Sequence, residues 1–119
     1  VDGLLVTSVT ITAPDPRGLA DFYARLLDTP VTSEEDGWAQ IRSSGLTLNF
    51  EYEAQWTAPT WPSVPGKQHA TQHLDIRVTD LATATEHAVR TGATLASFQP
   101  QEHVRVLLDP AGHPFCLFT

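Results

Sequence analysis

Apolar and polar positions repeat with two periods along this chain, one of two residues and one near 3.6. From Val6 to Ala13 the period is two: Val9, Ile11 and Ala13 fall on one face, Ser8, Thr10 and Thr12 on the other. The stretch is rich in β-branched residues, which predicts a strand. Asp15-Pro16 then offers a helix cap with proline at the first helical position. Leu19, Phe22, Tyr23, Leu26 and Leu27 recur at helical spacing, predicting an amphipathic helix over 16–27. Three strands are predicted next: Pro30 to Glu34, Trp38 to Arg42 after the turn Glu35-Asp36-Gly37, and Leu46 to Glu53 after Ser43-Ser44-Gly45. In the last of these Leu48 and Phe50 oppose Asn49 and Glu51.

Residues 54–69 break the pattern. Pro59, Pro62, Pro65 and Gly66 interrupt any regular element, with Trp56 and Trp61 among them. The segment reads as a linker between half-modules or a flap over a site. Alternation resumes at His73: Leu74, Ile76 and Val78 oppose His73, Asp75 and Arg77, and Asp80 caps a helix through Leu81, Ala84, Ala88 and Val89 that ends near Gly92. Strands are predicted at Thr94 to Phe98, His103 to Leu108 and Pro114 to Phe118, with Asp109-Pro110-Ala111-Gly112 closing the second.

Both halves read strand, helix, strand, strand, strand. A shift of 65 residues superposes the caps Asp15 and Asp80, and places Ile41 on Val106, Phe50 on Phe115, Ser8 on His73 and Glu51 on Cys116. A βαβββ unit cannot bury both faces of its sheet alone. Two tandem units are therefore expected to make an α+β fold: a curved, mostly antiparallel eight-stranded sheet with helices outside and a ligand cleft inside. Module one is expected at about 5–53 and module two at about 70–119 of a single 1–119 domain.

Composition narrows the function. The formal charge is −7, from 14 acidic residues against 7 Lys plus Arg. That argues against nucleic-acid binding, which needs clustered positive charge, and against anionic membranes. No run approaches the roughly 20 apolar residues of a membrane span. The first residues lack a basic segment followed by a long apolar core, and the single cysteine, Cys116, leaves no internal disulfide, so a cytoplasmic location is expected.

Several motifs resemble those of the vicinal oxygen chelate superfamily, which includes glyoxalases, bleomycin-resistance proteins, fosfomycin-modifying enzymes and extradiol dioxygenases. They are Asp15 with Leu19-Ala20-Asp21-Phe22-Tyr23, the run His73-Leu74-Asp75-Ile76 to Asp80-Leu81, and Asp109-Pro110-Ala111-Gly112 before the last strand. Pro59-Thr60-Trp61-Pro62 is similar to a glyoxalase-like subgroup of mostly unassigned activity. The resemblance implies one divalent ion on the inner face, Zn, Ni, Mn or Fe(II), held by His or Gln on the first strand, His opening module two, Glu on the last strand and, in some members, a residue of the fourth strand. The aligned positions here are Ser8, His73, Cys116 and Glu51, of which only His73 and Glu51 are ordinary ligands. A metal-free binding protein for a small organic molecule is therefore favoured, with Ser8, Trp38, Glu51, Trp56, Trp61, His73, Asp75 and Cys116 as ligand-binding candidates. The acidic balance suits a cationic or amine-bearing ligand. The alternative is a metal-dependent lyase, isomerase or dioxygenase-type enzyme using His73 and Glu51. Each candidate also has a plain reading: His73 as a hydrogen-bonding partner of an acid such as Glu51, Cys116 as a buried inert side chain, the tryptophans as pins for the 54–69 segment. A homodimer is expected, since exposed strand edges invite pairing.

Overall fold

The computed structural model describes all 119 residues, which divide into two compact units, Val1–Trp56 and Thr57–Thr119. The first contains β1 (Ser8–Ala13), α1 (Pro16–Leu27), β2 (Val31–Glu35), β3 (Trp38–Ser43) and β4 (Leu46–Tyr52). The second contains β5 (Leu74–Arg77), α2 (Leu81–Thr91), β6 (Thr94–Leu95), β7 (Val104–Leu108) and β8 (Pro114–Phe118). The predicted α+β order of two βαβββ modules is what forms. The strands make two four-stranded sheets, ordered β1-β4-β3-β2 and β5-β8-β7-β6, rather than one of eight. Each sheet is mixed: its first and last strands run parallel, as the helical crossover between β1 and the hairpins requires, and its other pairs are antiparallel.

In the first unit α1 begins and ends where its end residues dictate. Asp15 Oδ1 accepts from the Gly18 amide at 3.1 Å, and Asp28 takes a left-handed conformation (φ 51°) that closes the helix. Leu19, Phe22 and Tyr23 are buried against Ala39, Ile41, Leu48 and Phe50 of the sheet. A Cβ at Gly18 would collide with the Asp15 carboxylate. Gly18→Ala should thus gain about 0.5–1 kcal/mol of helix propensity and lose a cap of about 1 kcal/mol, for little net change. In an Asp15→Ala background the same substitution should stabilise by about 0.5–1 kcal/mol. Urea denaturation of the four proteins of this cycle checks it, and equal effects in both backgrounds would contradict it.

The second unit is shallower. Asp80 caps α2 by accepting from the Thr83 amide at 2.9 Å, and those hydrogen bonds hold its carboxyl below the usual range. Ala88 is the one buried residue of α2, while Val89, expected on its apolar face, is exposed. The half-buried position goes instead to Thr85, whose hydroxyl donates to the Leu81 carbonyl and so hides its polarity. The strand predicted at Thr94 to Phe98 stops at Leu95. Beyond it the Gln99 carboxamide takes over the ladder, accepting from the Val106 amide at 2.9 Å and donating to the Val106 carbonyl at 2.8 Å. Part of the 54–69 segment belongs to this unit: it folds back through the Thr60–His69 bridge, and the Trp61 indole donates to the Phe98 carbonyl at 3.1 Å.

The strand registers revise the internal repeat. Level with the caps, Thr10 pairs with Asn49 and through it with Gln40, whereas Asp75 pairs with Cys116 and through it with Val106. Cys116 therefore corresponds to Asn49, not Glu51, and Leu107, not Val106, corresponds to Ile41. The offset grows from 65 at the first strands to 66 and 67 as single residues are added in the loops, which leaves strand alternation intact.

Candidate functional site

Each sheet turns one face to its helix and leaves the other lined with polar groups. In the first unit strand alternation puts Trp38 and Gln40 opposite in direction to buried Ala39 and Ile41. Three cross-strand rows result: Ser8–Thr47–Arg42, Thr10–Asn49–Gln40 and Thr12–Glu51–Trp38. In the middle row Gln40 Nε2 donates to Asn49 Oδ1 at 2.8 Å, and the pair is partly buried. Directly opposed residues of neighbouring strands have Cβ atoms about 4.5–5.5 Å apart, so Trp38 and Glu51 leave the sheet as immediate cross-strand neighbours on the same face. Trp38 is half-buried and Glu51 exposed.

In the second unit Asp75 of β5 faces Cys116 of β8 across the parallel ladder, and His73 lies two residues before Asp75. His73 Nε2 is 3.2 Å from Asp75 Oδ1. The donor atoms of His73, Asp75 and Cys116 all lie within 4.8 Å of one another. The carboxylate beside His73 is thus Asp75, where the sequence reading put Glu51. Cys116 is not a core residue: it is half-exposed on the polar face while its neighbours Phe115 and Leu117 are buried on the other. Partial burial pushes its thiol up, and the charge and hydrogen bond of Asp75 push it further. Cys116 is accordingly a protonated donor to Asp75, which opposes its use as a nucleophile by itself.

The remaining candidates separate. Trp61 is a pin, its ring lying 6.2 Å from that of Phe98. Trp56, half-buried, ends the first unit. His113 is mostly covered and its Nδ1 lies 2.9 Å from both oxygens of buried Asp109, a turn-building contact. The Gln40–Asn49 pair was missed as a candidate, although the two-residue turn Ser44-Gly45 sets that cross-strand pairing.

The metal set that the resemblance implies is poorly matched by these donors. With Asn49 in the row that corresponds to Cys116, the implied positions hold a hydroxyl, a carboxamide, an imidazole and a thiol. Ser8 and Asn49 are neutral and weak ligands for a divalent ion.

A glyoxalase-like domain family matches residues 8–118. The chain belongs to this family. The glyoxalase-like chain is thereby a member of the vicinal oxygen chelate superfamily, and solved structures agree in fold. A glyoxalase family protein from Enterococcus faecalis is 18% identical with a TM-score of 0.70, covering 97% of each chain. A glyoxalase/bleomycin resistance protein/dioxygenase family enzyme from Burkholderia phytofirmans is 14% identical with a TM-score of 0.72, over 93% of this chain and 94% of that one. A fosfomycin resistance protein from Listeria monocytogenes, solved with Mn(II) and 1S,2S-dihydroxypropylphosphonic acid, is 14% identical with a TM-score of 0.72, over 99% and 90%. No curated protein matches the chain by sequence. No helix is long and apolar enough to cross a membrane.

Proposed function

We propose that this glyoxalase-like chain is a small-molecule-binding protein that takes an organic cation on the polar face of its first sheet, without the complete metal site of metal-dependent relatives. The observation that carries the reading is the cross-strand Trp38–Glu51 pair one row from the Gln40–Asn49 carboxamides. An indole face and a carboxylate together attract an ammonium or amidinium group. The carboxamides offer hydrogen bonds to an amide or hydroxyl of the same ligand. A net charge of −7 draws such ligands in from solution. Neighbours named for bleomycin or fosfomycin resistance support a small organic molecule as the kind of ligand.

The test is calorimetry on EDTA-treated protein with matched aryl-ammonium, aryl-amide and aryl-carboxylate compounds. The aryl-ammonium set should bind best. Glu51→Gln should weaken it by about 10–100-fold, the worth of one charge-assisted hydrogen bond, and Trp38→Ala by about 10-fold. Equal binding of all three sets, or binding that appears only when metal is added, would refute this reading.

A further inference from the structure

We infer that His73, Asp75 and Cys116 form a three-ligand site for a zinc-type cation within the second unit alone. The site differs from the ligand set implied by the superfamily, because it takes Asp75 in place of any residue of the first unit. It goes beyond the cation-binding reading and does not rest on it.

The backbone explains why the three converge. Asp75 and Cys116 are partners in the β5–β8 ladder, so their side chains leave the sheet at the same level and on the same face. His73 precedes Asp75 by two residues and shares that face. β8 lies between β5 and β7 and is held by ladders on both sides, which fixes the cysteine end of the site. The donors are an imidazole nitrogen, a carboxylate oxygen and a sulfur, all within 4.8 Å of one another. Tetrahedral zinc with bonds of about 2.0–2.3 Å needs donor separations of roughly 3.3–3.7 Å. The His73–Asp75 distance of 3.2 Å is already near that edge length, and the side chains that must rotate for the rest are half-exposed.

Donor chemistry selects the metal. A thiolate beside imidazole and carboxylate suits zinc and cobalt, and disfavours magnesium, calcium and manganese, which prefer all-oxygen shells. On binding, the cation displaces the Cys116 proton to solvent and takes the place of the Cys116 hydrogen bond and the His73 contact that Asp75 now makes. The side chains of His73 and Asp75 are 48% and 59% exposed, so a fourth position stays open to water or to a ligand oxygen. Arg77, one row along the same strand, is exposed, and solvent screens its charge.

Cobalt(II) titration of EDTA-stripped protein purified without a histidine tag tests the site. One equivalent should bind with a near-ultraviolet sulfur-to-cobalt charge-transfer band, and zinc should displace it. Cys116→Ser should abolish the band. Asp75→Asn, close in shape, should weaken binding by at least about tenfold, the lower end of what even supporting groups around a metal cost. His103→Ala, an exposed histidine elsewhere, should leave both unchanged. Absence of the band at one equivalent, or unaltered affinity in Asp75→Asn, overturns the site. Neither result bears on aryl-ammonium binding, which is measured in EDTA.

Discussion

Phe22→Ala is expected to destabilise the protein by about 3–5 kcal/mol, the range for emptying a fully buried aromatic site. Phe22 is 0% exposed. Its ring meets Tyr23 edge-on at 4.9 Å, and Tyr23 stacks on Phe50 at 5.7 Å, so one aromatic column joins α1 to the sheet. The cavity would open at the contact that holds the helix, and its rigid sheet side cannot collapse to fill it. Native domains carry about 5–15 kcal/mol in total, so this single change removes a large share. Guanidinium denaturation should show the midpoint falling, with Phe22→Leu losing well under half as much. A Phe22→Ala midpoint within error of the parent would contradict the packing described.

Asp109→Ala is expected to cost about 3 kcal/mol or more, for a different reason. Asp109 is a buried acid: its Oδ1 accepts from the amides of Ala111 and His113 at 3.0 Å each, and both oxygens lie 2.9 Å from His113 Nδ1. Truncation leaves two amides and an imidazole without their acceptor in a part-buried turn, at about 1–3 kcal/mol for each group that water cannot reach. Asp109→Asn keeps one acceptor oxygen and should lose about half as much. The turn also delivers β8 into register, so Cys116 should react faster with a thiol reagent in Asp109→Ala. Unchanged stability together with unchanged labelling would show that the turn is held by its backbone alone.

Much of the fold was legible in the sequence because short-range chemistry decides it. Asp15-Pro16 and Asp80 mark where the helices begin, and the alternation of Pro114 to Phe118 marks β8, since caps and pleats are properties of neighbouring residues. What escaped is relational. A repeat that gains single residues in its loops keeps its hydropathy pattern inside each strand, so the drift that moves Asn49 opposite Cys116 in the repeat is invisible to periodicity. Val106 made it harder to see: it is apolar and 2% exposed, yet lies in the row of Asp75 and Cys116 rather than on the helix face. The end of β6 escaped because a side chain, Gln99, stands in for backbone. At the site, His73 and Asp75 were both visible as one polar row. That Cys116 joins them depends on the ladder between β5 and β8, strands some forty residues apart, which no local pattern records.

Gln99 has a consequence for how the molecule behaves in a crowd. A strand rim with free amides and carbonyls templates the addition of foreign strands, the first step toward aggregation. By bonding both hydrogen-bonding groups of Val106, whose carbonyl it shares with the Ala96 amide, the carboxamide closes the rim of β7 just where β6 has ended. The protection needs no charge and no proline, and it lets the chain between Ala96 and Gln99 leave the sheet without exposing a recruiting edge behind it.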